Sequence, residues 1–149
     1  MKKIRKKTTY NKLITVISLF SLIFIALTTI TTVSASSSII YVNGSYGNDS
    51  WNGTSWATAK LTIQNATGTV SNGGTVNIAN GIYAGVNNTN ITINKNMTIR
   101  GQSKSSTIIN GTGTAQIFQI LRGMNVTIEN LTFANGKATA GGAINNLGN

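Results

Sequence analysis

Apolar and polar residues alternate in short runs along most of this chain, and each run closes on a polar cluster and a glycine. Thr75-Val-Asn-Ile-Ala-Asn-Gly81, Asn96-Met-Thr-Ile-Arg-Gly101 and Asn125-Val-Thr-Ile-Glu-Asn-Leu-Thr-Phe-Ala-Asn-Gly136 are versions of one phrase. Val76, Met97 and Phe118 recur at a step of 21 residues, as do Ile78, Ile99 and Ile120. Alternation with period two and β-branched residues predicts strands, and a fixed step near twenty predicts stacked turns of chain. The two together predict an all-β fold, a parallel β-helix in which Val76, Met97 and Phe118 form one buried column and Ile78, Ile99 and Ile120 another.

The strands are expected at residues 76–78, 91–93, 97–99, 107–109, 117–120, 126–128 and 131–133, after a first one at 37–42. Six Asn-Gly dipeptides mark backbone that needs positive φ. Asn-Gly is also the strongest hairpin signal, so an antiparallel sandwich is the structural rival. Uneven gaps between strands and the constant step favour the stacked coil. Residues 57–70 are the one plausible helix, with Leu61, Ile63, Ala66 and Val70 on its apolar side. Such a helix suits a lid over the first coil, where open backbone otherwise invites pairing. Trp51 and Trp56 are expected to pack against this lid; the alternative is that they offer aromatic platforms to sugars.

The amino terminus breaks the pattern. Lys2, Lys3, Arg5, Lys6, Lys7 and Lys12 precede an apolar core from Leu13 to Leu27, and Val33-Ser-Ala35 follows. This is the layout of a signal peptide helix cut after Ala35. An uncleaved anchor over residues 13–33 is the rival, since such a helix reaches across a hydrocarbon core of about 30 Å. Either reading places the remainder outside the cytoplasm, secreted or at the cell surface, with membrane contact only through residues 1–35. Three regions result: the signal segment 1–35, a cap region 36–72, and β-helix coils over 73–149.

Composition then narrows the function. The formal net charge is +10, but those six amino-terminal cations are half of the twelve. From Ser36 onward six scattered cations face Asp49 and Glu129, a net of +4 with no basic run, so nucleic acid is not an expected partner. No cysteine is present, so core and backbone ladders must hold the fold without disulfides.

The phrase order has a family likeness. Ile40-Tyr-Val-Asn-Gly-Ser-Tyr-Gly-Asn-Asp-Ser-Trp-Asn-Gly-Thr-Ser-Trp-Ala-Thr-Ala59, Leu61-Thr-Ile-Gln-Asn-Ala66 and Gly73-Gly-Thr-Val-Asn-Ile-Ala-Asn-Gly-Ile-Tyr83 resemble the amino-terminal cap and first coils of right-handed parallel β-helix proteins. Leu131-Thr-Phe-Ala-Asn-Gly136 followed by Gly141-Gly-Ala-Ile-Asn-Asn146 is similar to the Phe-x-x-Asn and Gly-Gly-Ala-Ile repeat of polymorphic outer-membrane proteins, with Asn135 one place early. The same repeat occurs in adhesin-like surface proteins of methanogenic archaea. The resemblance implies an exported, adhesive surface module whose partners are cell-surface glycans or neighbouring cells.

Catalysis is not expected. Glycoside hydrolysis takes two carboxyl groups flanking one bond, and calcium takes six to eight oxygen ligands with carboxylates prominent. The chain has Asp49 and Glu129 alone, far apart in sequence, and no histidine. Asp49 reads as a turn residue bonding its own backbone, Glu129 as solvated, and Lys95, Arg100, Lys104 and Arg122 as solubilising charges. No cofactor or metal is expected. The alternative is the amino-terminal part of a β-helix polysaccharide lyase or glycoside hydrolase. Of ten Asn-x-Ser/Thr sequons, Asn87 and Asn110 are the candidate glycosylation sites by loop position. The phrase stops at Asn149 without a polar closing unit, so the chain is expected to be the amino-terminal piece of a longer surface protein, or a truncated copy, and to self-associate through an open end of the coil.

Overall fold

A computed structural model describes residues 38–148. The proposed signal segment therefore lies outside the described residues. Short alternating runs become ten strands: β1 (Ile39–Val42), β2 (Gly74–Ile78), β3 (Gly81–Ala84), β4 (Ile91–Ile93), β5 (Met97–Gly101), β6 (Thr107–Asn110), β7 (Phe118–Ile120), β8 (Val126–Glu129), β9 (Thr132–Ala134) and β10 (Ile144–Asn146). A single α-helix, α1 (Ile63–Thr69), and a 3-10 turn at Trp56–Thr58 lie between β1 and β2.

The strands form three sheets, ordered β1-β2-β5-β8, β3-β6-β9 and β4-β7-β10. Every strand pair among the described residues is parallel, which removes the antiparallel sandwich. From β2 onward the chain visits the first, second and third sheet in rotation, so β2-β3-β4, β5-β6-β7 and β8-β9-β10 are three circuits. Among the described residues no helix is long and apolar enough to cross a membrane.

Alternation decides which side chains meet. In β2, Gly74, Val76 and Ile78 face inward and are buried, and in β5 Met97, Ile99 and Gly101 do the same. They join Ile91, Ile93 and Phe118 from the third sheet and Tyr83 and Ile109 from the second in one core. Burying each of the larger apolar side chains stabilises by about 1.5–3 kcal/mol. Tyr83 reaches the core with its hydroxyl satisfied: it accepts from Gly44 N–H (3.3 Å) and donates to the Ala79 carbonyl (3.0 Å). Burial pushes the Tyr83 phenol above its ordinary pKa, and the Gly44 hydrogen bond pulls the other way.

The columns differ from the expected ones. Val76 stands opposite Ile40 and Ile99, whereas Met97 stands opposite Gly74 and Val126. Phe118 belongs to the third sheet, between Ile91 and Ile144. The inward orientation of all three is as expected, but the register step is 36 residues from β1 to β2 (Ile40 to Val76) and between circuits runs from 23 (Val76 to Ile99) to 29 (Met97 to Val126), instead of a constant 21. All three sheets share one alternation, so residue type alone cannot tell which sheet a strand joins. Corner lengths set the step, and they vary. Strands β3 and β10 lie outside the expected set; in β3 the exposed Ile82 and the glycine start obscured the pattern, and β10 has a single apolar residue, Ile144.

The corners rely on asparagine. Asn72 Oδ1 accepts from the backbone N–H of Asn96 (2.9 Å), and Asn96 Oδ1 accepts from that of Asn125 (2.8 Å). Each circuit is thus tied to the next where the chain enters the first sheet. At Gly101 an added Cβ would lie 2.1 Å from the Asn130 carbonyl oxygen, so only glycine lets the next circuit's corner come this close.

The helix is shorter than expected. Thr62 caps its start, and Leu61 stays outside it and exposed, so the buried helical contacts are Ile63, Ala66 and Thr67. The Asp49 carboxylate explains the boundary. It accepts from Leu61 N–H (2.9 Å), Thr62 N–H (3.0 Å) and the Thr62 hydroxyl (2.9 Å), a long-range latch and not the local turn expected of it. Lys95 is likewise more than a solubilising charge: its Nζ donates to the Gly68 and Val70 carbonyls, which the helix end leaves without intrahelical partners. The outer edge of β1 is covered by the 43–60 loop, with Tyr41 N–H on the Gly53 carbonyl, Lys60 N–H on the Tyr41 carbonyl, and Asn43 N–H on the Lys60 carbonyl.

Candidate functional site

Parallel register turns single outward positions into rows. On the outer face of the first sheet, Tyr41, Asn77, Arg100 and Glu129 stand opposite one another across β1, β2, β5 and β8. Neighbouring strands are about 4.8 Å apart, so a row of four spans about 14 Å. Arg100 Nε donates to Glu129 Oε1, so the single ion pair among the described residues lies within this row and Glu129 is not simply solvated.

At the β1 end of the row the Trp56 ring meets the Tyr41 ring edge to face, with centroids 4.6 Å apart and planes at 61°. Trp56 therefore packs on strand β1, where the sequence pattern led to the expectation of a contact with the helical lid, and it remains 44% exposed. Between the aromatic pair and Arg100 lies a groove of about 350 Å³ whose wall includes Asn77, Gln102 and Asn130. Gln102 is fixed there by its N–H on the Ile78 carbonyl and by its Oε1 accepting from Asn80 N–H.

The groove differs from the rest of the surface in how its polar groups are used. In the cap loop Asn43, Asn48 and Asn52 accept hydrogen bonds from backbone two or three residues on. Asn72 and Asn96 bind successive circuits, and Asn135 Nδ2 donates to Asn110 Oδ1. The Tyr41 hydroxyl and the Asn77 and Asn130 amides, by contrast, make no hydrogen bond among the described residues and line open space. A second groove of about 430 Å³ runs beside α1, lined by Gln64, Asn65, Asn90, Thr92 and Asn94 with no aromatic ring.

The expected glycosylation sites fall elsewhere. Asn87 lies in the loop joining β3 to β4 at φ 65°, half-buried, and its carbonyl accepts from Gln64 N–H. The threonine of its sequon, Thr89, is buried with its hydroxyl on the Gly85 carbonyl. Asn110 ends β6, and its Oδ1 accepts from both Thr112 N–H and Asn135 Nδ2. Asp49 and Glu129 are not brought together: one latches the cap loop to α1 and the other sits on β8 beside Arg100. Among the described residues no three His, Cys, Asp or Glu side chains form a group able to hold a metal.

Sequence reasoning missed the groove, although half of its signal was legible. Period-two parity places Tyr41, Asn77 and Arg100 outward. Their meeting depends on steps of 36 and 23 residues that no constant repeat supplies. No family model, no curated protein and no solved structure matches this chain.

Proposed function

We propose that the chain is a module of an exported, adhesin-like surface protein, a right-handed parallel β-helix that displays side chains on its outer faces and binds cell-surface glycans or neighbouring cells without catalysis. The observation that carries this reading is the rotation of the chain through three parallel sheets, which aligns one outward residue per circuit into straight rows. A stacked fold of this kind fills its interior with core and leaves its outer faces for recognition. The likeness of the 131–146 phrase to adhesin-like repeats supports the same reading. So does the engagement of both carboxylates in structural bonds, since a hydrolase would need them paired across one bond.

Glycan arrays and whole-cell binding test the adhesive half of the reading, and incubation with pectins and alginates in the presence of calcium tests the rest. Binding without turnover is expected. New unsaturated products or reducing ends would replace this reading by a polysaccharide-degrading one, and blank arrays and cells together would leave a scaffold without ligand.

A further inference from the structure

We infer that the groove between Tyr41, Trp56, Asn77 and Arg100 binds an uncharged hexopyranose unit of a glycan, with Trp56 as its stacking platform. The inference deepens the adhesive reading above and rests on it for its setting.

Three features of the groove select this ligand class. The first is an exposed indole held by an edge-to-face contact with Tyr41, which limits the rotamer freedom lost on binding. A pyranose has an apolar face of C–H groups that covers such a ring while its hydroxyls point outward. The second is the set of groups around the ring. The Tyr41 hydroxyl and the Asn77 and Asn130 amides offer both donors and acceptors, matching hydroxyls that both donate and accept. These groups are unspent in a chain that commits many of its other amides to turns and corners.

The third is charge. Arg100 is the cation on the groove wall, and Glu129 already neutralises it. A uronate would have to compete with Glu129 for the guanidinium, whereas a neutral sugar can accept from the N–H groups that the Nε contact leaves over. A volume of about 350 Å³ lies at the small end of ligand sites, suited to one or two sugar units.

The test uses the full chain, titrated with neutral gluco-, galacto- and manno-oligosaccharides and with oligogalacturonate of similar length, followed by calorimetry and tryptophan fluorescence. At least one neutral oligosaccharide should bind more tightly than the uronate. Trp56→Ala should weaken it by about tenfold or more, on the scale of an aromatic anchor, while Trp51→Ala leaves it unchanged. Asn77→Ala, an outward position, should weaken it without lowering the melting temperature, which keeps the outcome separate from misfolding. Glu129→Gln should raise uronate affinity by freeing Arg100. Preference of the wild-type protein for uronate, binding indifferent to Trp56 and Asn77, or no binding of any oligosaccharide would each overturn the inference. Cell or array binding that survives Trp56→Ala would spare the adhesive reading while sinking the groove. Oligosaccharide binding through Trp56 with blank cells would do the reverse.

Discussion

The two ends of the three-circuit stack are built from similar strands and end up in different states. At the β1 end, Ile40, Val42, Ile63 and Ala66 are all fully buried, because α1 covers the interior and the 43–60 loop covers the sheet edge. At the other end Val126, Ile128, Leu131 and Phe133 are half-buried and pack on the core from one side. The asparagine ladder runs the same way: Asn72 and Asn96 each accept from the following circuit, and the Asn125 amide has no such donor among the described residues. Strand chemistry does not separate the ends, since Val-Thr-Ile in β8 alternates as Val-Asn-Ile does in β2. The cover does. Among the described residues the strands supply the stack, and the 43–60 loop and α1 supply the cover on the β1 side.

The sharpest way to break this comparison is a charge placed at an inward position of the fully covered interior and at one of the half-buried side. Met97 is 3% exposed between Gly74 and Val126, so Met97→Asp strands a carboxylate without a partner. It should cost more than about 4 kcal/mol and leave the chain unfolded at 25 °C. Ile128→Asp, on the half-buried side, can turn its charge toward water and should cost about 1–2 kcal/mol. Urea titrations of both variants check this. Equal losses would mean that Ile128 is as closed off from water as the core around Met97.

The second way concerns association. The outer edges of β8, β9 and β10 pair with no further strand among the described residues, and open edges beside apolar side chains template contact with other chains. We propose that residues 36–149 self-associate through this face. Sedimentation should show mass rising with concentration, and Ile128→Lys should reduce it while keeping the circular dichroism of the parent. A monomer at high concentration with one cooperative melt would show that the face is closed by means other than a partner.

How much of this was legible beforehand depends on the range of each interaction. Strand alternation is local, and every strand except β3 and β10 was marked by it. The parallel arrangement was legible from repeated phrases without tight hairpins. The register was not, because Val76 meets Ile99 through the summed lengths of the three corners between β2 and β5. The latch was hidden for the same reason. Asp49 lies among glycines and asparagines that typify turns, and nothing in Gly47-Asn-Asp-Ser50 announces a bond to Thr62. The candidate groove combines both difficulties, since Trp56 comes from the short 3-10 turn after the cap loop and Arg100 from the second circuit.

The latch gives the third prediction. Asp49→Ala removes the acceptor for two backbone N–H groups and one hydroxyl at the start of α1. Leu61 is exposed enough for water to replace part of this, so the expected loss is about 2 kcal/mol. Asp49→Asn keeps one acceptor oxygen and should lose less. Hydrogen exchange should quicken in residues 60–70 of the alanine variant and stay unchanged in β8 and β9. Uniform quickening would mean that the cap and the far end unfold as one unit, and the contrast between them would lose its energetic meaning.

The smallest expected effect is the alkaline response of Tyr83, which ties the cap loop to the second sheet through Gly44. Burial raises its pKa in the folded protein, opposed in part by the Gly44 bond, while in the unfolded chain the phenol titrates near 10. The folded state therefore favours the neutral form. The stability this contributes is complete below about pH 10 and declines as pH rises from there through the higher folded value. Tyr83→Phe should cost about 1 kcal/mol at neutral pH, by leaving the Gly44 N–H and Ala79 carbonyl without their partner. Above pH 10 the gap between wild type and variant should narrow, because the phenylalanine has no proton to lose. Urea midpoints of both proteins at pH 7 and pH 11 measure it. A gap that stays constant across that range would mean that Tyr83 reaches solvent when it ionises, and that the sealed end opens more readily than its burial implies.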